Sequence, residues 1–254
     1  MHPILIKLGS LTVYSYGVMV AIGFALAVAF IYRRAAGFDL DKDKCLDLMI
    51  DILIFGILGA RLLYVLLNLS FYTANPLEIV MLSKGGLIWY GGFIFALIAM
   101  GVYVRIKKMA FWQVVDLITP YIALAQGFGR IGCFLNGCCY GIKVSPDFPF
   151  AVTFPGEAGP RLPAQLISAV LLFLIFVILM LWQKRRRFIG EIALGYCILY
   201  SSKRFIMEFL RGDNPKILSG LTMSQVISVI IFIATLSIFI FKARQCKKKP
   251  TISK

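Results

Sequence analysis

Seven stretches of roughly twenty mostly apolar residues, at 11–32, 48–69, 85–104, 112–132, 164–182, 191–209 and 221–241, recur along nearly the whole chain. A helix needs about 20 such residues to cross the ~30 Å hydrocarbon core of a bilayer. Lipid offers the backbone no hydrogen-bond partners, so a spanning segment is either a helix or part of a closed barrel. No period-two alternation marks barrel strands here. The chain is therefore expected to be an all-α polytopic membrane protein with seven transmembrane helices. Composition points the same way: 60% of the 254 residues are hydrophobic and 15% charged, where soluble domains run near ~45–50% and ~25%. Disorder is excluded too, because low hydrophobicity is its signature.

The basic residues sort by loop. Seventeen Lys and Arg fall in the loops after spans one, three and five and in the tail, against six on the opposite side. Cytoplasmic loops carry that excess, so the N-terminus is expected outside and the C-terminus in the cytoplasm. The formal charge of +15 then reflects topology and a basic tail facing anionic inner-leaflet lipid, with no nucleic-acid partner. The expected organisation is a seven-helix transmembrane domain over 1–241, including a short external segment 142–163, followed by a basic cytoplasmic tail 242–254. The first span lacks a basic n-region and a small-residue cleavage site, so it is not expected to be a cleaved signal.

Four basic residues lie inside the spans: Arg61, Arg130, Lys203 and Arg204. Ionisable groups at membrane depth are costly and tend to mark a polar cavity or a functional path. At ~1.5 Å rise per residue, Arg61 and Arg204 sit about 20 Å along their spans and Arg130 about 27 Å along its own. All three then fall in the outer half. Glu208, four residues after Arg204, is the one obvious acid at that depth and has the spacing of a helix ion pair. The remaining excess of guanidinium groups calls for an external anion. Arginine suits a phosphate through paired hydrogen bonds, and the membrane supplies phosphate as a phospholipid headgroup.

Two glycine-rich runs lie at the same level. KGGLIWYGG (84–92) brackets Trp89 and Tyr90 with glycine pairs, and GFGRIGCFLNGCCYG (127–141) places Arg130 and Asn136 among five glycines and three cysteines. Close helix packing explains the glycines but gives no reason for Arg130 and Asn136. Of the clustered Cys133, Cys138 and Cys139, a thiol beside Arg130 can act as nucleophile or base; disulfide formation and apolar filling are the other readings. The only histidine is His2, so a Ser–His–Asp arrangement is unavailable. No metal site and no cofactor are expected, because the cysteine spacing lacks a second CxxC arm. No P-loop, HExxH or dinucleotide fingerprint is present.

Together the motifs VYSYGVM (13–19), GARLLYVL (59–66), KGGLIWYGG, GFGRIGCFLNGCCYG, FPFAVTFPG (148–156) and KRFIMEFLRGD (203–213) resemble those of the prolipoprotein diacylglyceryl transferase family, bacterial inner-membrane enzymes of lipoprotein biosynthesis. The resemblance implies transfer of the diacylglyceryl group of phosphatidylglycerol to the lipobox cysteine of a preprolipoprotein signal peptide, with the active site facing the outer leaflet. By position it implies that Arg130 holds the lipid phosphate and Arg204 stabilises the leaving phosphate. Tyr16, Asn136, Gly141 and Glu208 match family positions lining the site, and Arg61 joins the substrate-binding set through its depth in span two.

The sequence departs from the family pattern at three places. Tyr90 stands where the family usually has histidine, Cys133 where it has asparagine, and Cys138 where it has an acid. The segment 142–163 is also short, and lacks a His-Pro before Gln165. Tyr90, Arg204, Cys133 and Cys138 are the expected catalytic positions, with thiol activation the altered part. Two other readings stay open: a diverged enzyme of the same fold that uses Cys133 or Cys138 for another acyl, glyceryl or redox step, and a non-enzymatic protein that binds or transports anionic phospholipid.

Overall fold

The computed structural model describes residues 1–9, 11–81, 85–211, 216–218 and 220–248. Lys84, residues 212–213 of the last motif and residues 249–254 of the tail lie outside them. Among the described residues are the helices α1 (Ser15–Arg34), α2 (Lys42–Leu67), α3 (Leu69–Ala74), α4 (Trp89–Ile106), α5 (Phe111–Asn136), α6 (Ala164–Gln183), α7 (Glu191–Phe209) and α8 (Met223–Lys248). Two small antiparallel hairpins accompany them, β1 (Ile4–Leu8) with β2 (Leu11–Tyr14) and β3 (Lys216–Leu218) with β4 (Leu221–Thr222).

Five helical segments, Ser15–Phe38, Lys42–Leu67, Trp89–Ile106, Ala164–Gln183 and Met223–Cys246, are long and apolar enough to cross a membrane. Helices α5 and α7 have the length, with 26 and 19 residues. Their apolar character is diluted by Asp116, Gln126 and Arg130 in one and by Lys203, Arg204 and Glu208 in the other. The expected boundaries shift at three places. The first span does not begin at residue 11, because Leu11–Tyr14 pairs with β1 as a hairpin. Ser15 closes that hairpin onto α1, its N–H donating to the Pro3 carbonyl at 3.0 Å. Helix α2 starts six residues early because the Asp41 carboxylate accepts from the N–H groups of Asp43 (2.8 Å) and Lys44 (3.2 Å), satisfying donors that a helix start leaves open. Helix α8 continues to Lys248, past the point where the tail was expected to begin.

The chain forms two compact units, one of Ile31–Val114 and one of Met1–Phe30 with Val115–Lys254. In the first, α2 and α4 cross backbone to backbone: a Cβ on Gly91 would stand 2.3 Å from the Gly59 carbonyl oxygen. Only glycine permits that approach, so the second glycine pair of the 84–92 run is a helix-crossing device. In the second unit, Ala123 of α5, Ile175 and Leu179 of α6, and Ile192 of α7 form a buried core. Asp116, fully buried on α5, fixes where α7 begins. Its carboxylate accepts from the N–H groups of Gly190 (2.7 Å), Ile192 (3.1 Å) and Ala193 (3.0 Å), the open donors of the α7 N-terminus. With α7 so anchored to α5, the opposite ends of both helices carry Arg130 and the Lys203–Glu208 segment.

Candidate active site

Residues 203, 204, 207, 208 and 211 recur at helical spacing and share one side of α7 and its extension. That side faces the end of α5 and the start of α6 across a small, partly open cleft lined by Arg130, Cys139, Gln165, Lys203, Arg204 and Arg211 among others. Lys203 lies within electrostatic reach of Arg130, Arg204 and Arg211. Four cationic side chains thus meet in one space on the same unit.

Their pairing differs. Arg204 is held by two neighbours, its Nη1 2.9 Å from Glu208 Oε2 and its Nη2 donating to Ser224 Oγ at 2.8 Å. Glu208 is itself buried, and its Oε1 accepts from Thr222 Oγ1 at 2.8 Å. The expected i,i+4 pair therefore forms. A guanidinium carries five N–H donors, so Arg204 keeps others for a ligand. Arg130 makes no hydrogen bond or ion pair with any described residue, and it lines the cavity. A guanidinium without a protein acid in a polar cavity is a ready anion ligand.

The cysteines are gathered by the way α5 ends. Gly137 and Cys139 both take left-handed backbone conformations, with φ of +74° and +64°, a common way to terminate a helix. The chain doubles back, and the Cys138 N–H donates to the Cys133 carbonyl at 3.1 Å. The three sulfurs of Cys133, Cys138 and Cys139 consequently lie within 4.8 Å of one another, and none is in a disulfide. Hydrogen bonds from the Cys133 and Cys139 thiols, with a further one from Asn136, hold the Cys138 thiol below its ordinary range. Tyr16 of α1 packs against Gly132 of α5, its Cα 3.2 Å from where a Cβ would stand. Its hydroxyl is within electrostatic reach of Arg130 and all three thiols.

Gly141 follows the cysteines and is a junction of three segments. Its N–H donates to the Leu162 carbonyl at 2.9 Å, while Ile142 N–H donates to the Leu210 carbonyl at 3.0 Å. A Cβ there would stand 2.6 Å from the Leu210 oxygen, so the position has a packing requirement of its own. The external segment is pinned close by. Arg161 stacks over the Tyr140 ring, 4.7 Å from its centroid, and Arg161 and Tyr140 both donate to the Glu157 carboxylate. The Tyr140 hydrogen bond, together with the Arg161 guanidinium, holds Glu157 below the usual carboxylate range.

Tyr16, Arg130, Cys133, Asn136, Cys138, Gly141, Arg204 and Glu208 belong to one unit, Tyr90 and Arg61 to the other. Tyr90 is 68% exposed and meets Trp89 edge-on. Arg61 is held by its own chain. Its Nε donates to the Ile79 carbonyl at 2.9 Å, Nη1 to the carbonyls of Gly85 and Gly86, and Nη2 to those of Glu78 and Met81. Every nitrogen of the group is engaged by backbone carbonyls of the chain itself, so Arg61 anchors residues 78–81 and 85–86.

Sequence reasoning missed Gln165 in the cavity wall and left Lys203, Arg211 and Cys139 out of the site. Lys203 and Arg211 carry a readable signal, since both share the α7 face of Arg204. Gln165 carries none: a glutamine at the start of an apolar run has many uses. Here it is 1% exposed and its Nε2 donates to the Cys138 carbonyl at 2.7 Å.

Known proteins agree with the resemblance drawn from the motifs. The family model described as prolipoprotein diacylglyceryl transferase matches residues 3–241. Proteins named phosphatidylglycerol–prolipoprotein diacylglyceryl transferase are similar along nearly the full chain. The one from Clostridium tetani is 35% identical, with 98% of this chain and 100% of the relative covered. The one from Geobacter sulfurreducens is 37% identical with 96% of each covered, and one from Listeria monocytogenes is 31% identical with 98% and 92% covered. On those matches the chain belongs to the prolipoprotein diacylglyceryl transferase family.

Proposed function

We propose that this protein spans the bacterial cytoplasmic membrane seven times, through α1, α2 and α4–α8, with its N-terminus outside. There it transfers the diacylglyceryl group of phosphatidylglycerol to the lipobox cysteine of a preprolipoprotein. The observation that carries this reading is Arg130, which has no hydrogen bond or ion pair among the described residues and shares its cavity with Lys203, Arg204 and Arg211. Relatives named for this one activity match along the whole chain, which favours it over a diverged enzyme or a passive lipid binder.

In this reaction the lipobox sulfur, as thiolate, attacks the glyceryl carbon that bears the phosphate ester. A C–S bond forms and the C–O bond breaks. The electron pair leaves with the oxygen of glycerol phosphate, and the thiol proton goes to solvent. Two demands follow: the phosphate must be held in line, and its growing charge must be stabilised. Arg130 supplies free donors for the first. Arg204, fixed by Glu208 and Ser224, supplies a preoriented cation for the second. Such donors act strongly where water is excluded, because they need no rearrangement as charge develops.

The test is a purified-protein assay with phosphatidylglycerol and a lipobox peptide. Glycerol phosphate release matched by peptide lipidation, both lost in Arg130→Ala, is the expected result. Lipidation that proceeds unchanged in Arg130→Ala contradicts the assignment of the phosphate site, and no lipidation by the unaltered protein contradicts the activity.

A further inference from the structure

Three thiols gather at the end of α5. Each is unbridged. Their sulfurs nevertheless share one small volume, all within 4.8 Å. Three thiolates around one zinc ion at ~2.3 Å would stand about 3.8 Å apart. The needed contraction is about 1 Å, within reach of side-chain rotation. Lack of histidine and of a second CxxC arm argued against a metal from spacing alone. The fold answers that objection by returning Cys138 and Cys139 to Cys133, which is five residues upstream of the first.

The cluster also sits where chemistry is needed. Cys139 lines the cavity of Arg130 and Arg204. Gln165, in the same wall, bonds the Cys138 carbonyl through Nε2, while its Oε1 is buried without a hydrogen-bond partner. A buried acceptor left open costs free energy unless a ligand or water meets it. Three of the positions where this chain departs from its family concern thiol activation, and two of those are Cys133 and Cys138.

We propose that Cys133, Cys138 and Cys139 bind a soft divalent cation of the zinc class as a three-thiolate site, and that the fourth coordination position takes the lipobox sulfur of the peptide substrate. This deepens, and rests on, the transferase reading. Zinc sites with three protein ligands keep a fourth position for substrate, and a thiol that coordinates the ion is deprotonated outright. Zinc binding releases the protons of the three protein thiols to solvent. The substrate thiol loses its proton on joining them, and its sulfur keeps an electron pair for attack on the glyceryl carbon. No oxidation or reduction occurs. The C–S bond forms, the C–O bond breaks with its electrons on glycerol phosphate, and the thioether product, a neutral and weaker ligand, departs. Arg130 lies within electrostatic reach of Cys133 and would offset part of the charge of a thiolate–zinc group.

The probe is Cd2+, whose bonds to thiolates absorb in the ultraviolet, added to the reduced and metal-stripped full chain in detergent. The expected result is one equivalent bound per chain with a charge-transfer band. The band is expected to be lost in Cys133→Ser/Cys138→Ser and retained in Cys197→Ser. Phosphatidylglycerol retention by the double variant checks that its cavity still folds. Lipobox peptide should then raise the band as a fourth sulfur binds, and the same peptide with serine for cysteine should leave it unchanged. Absence of the band, or its survival in a folded double variant, overturns the site. A band that the cysteine peptide fails to raise overturns the fourth-ligand role. Metal-stripped protein that lipidates peptide at the full rate also overturns the proposal while leaving the transferase reading intact. Cadmium bound by the three thiols in a protein that never lipidates peptide, even with zinc, is the reverse: the transferase reading fails and with it the catalytic part of the proposal.

Discussion

Removing Arg204 isolates the most exposed assumption in the site, that its guanidinium is locked in place by a buried acid. Glu208 has no side-chain exposure, while Arg204 retains 22%. In Arg204→Ala the carboxylate keeps Thr222 as a donor but loses the Arg204 guanidinium. Breaking a buried pair from one side costs ~3–5 kcal/mol, and the partial exposure of Arg204 places this case at about 3 kcal/mol. Glu208→Gln keeps an acceptor for Thr222 and is expected to cost about 1–2 kcal/mol. In the double variant Arg204→Ala/Glu208→Gln both charges of the pair are removed together, so its cost should fall short of the sum by about 2 kcal/mol. Denaturant unfolding of the four proteins in one detergent measures this coupling. Additivity to within ~0.5 kcal/mol would refute the view that the pair orients Arg204.

Other consequences are open to simpler checks. Gly141→Ala puts a Cβ 2.6 Å from the Leu210 oxygen and is expected to cost about 1–3 kcal/mol of stability, read by a lowered melting temperature; an unchanged value would mean the junction relaxes freely. Arg61→Ala withdraws every guanidinium bond to the carbonyls of Glu78, Ile79, Met81, Gly85 and Gly86, so limited proteolysis should cut faster at residues 78–81 and 85–86, and equal cutting would count against the anchor. Glu157 is held below the ordinary carboxylate range by Tyr140 and Arg161, so it contributes stability above that range and loses the contribution as pH falls through its folded value. Glu157→Gln should flatten the acid limb of the melting profile, and a parallel profile would show that the network contributes nothing.

How far the chain could be read before folding depends on how local each feature is. The helix cores and the Arg204–Glu208 pair follow from hydropathy and from i,i+4 spacing, and both are local. The early start of α2 was legible in Asp41, a residue type that accepts from the first helical N–H groups, but apolar content alone placed the boundary later. The hairpin before α1 reads as span on hydropathy because Leu11, Val13 and Tyr14 are apolar; its signal is Gly9 beside β-favouring residues. Arg61 could not be assigned from depth, since its partners are carbonyls, which are present at every residue and carry no signature. The meeting of Cys133 with Cys138 and Cys139 depends on the left-handed backbone at Cys139. Few non-glycine residues adopt that conformation, and nothing in the spacing announces it.

Lipid affinity puts the phosphate site itself on trial. Equilibrium retention of phosphatidylglycerol and of phosphatidylcholine should be compared for the unaltered protein and Arg130→Ala in the same detergent. A preference for the anionic lipid that falls about 10- to 100-fold in the variant is expected, the scale of losing one desolvated charged contact. Equal retention of both lipids, or a preference untouched by the substitution, would contradict it.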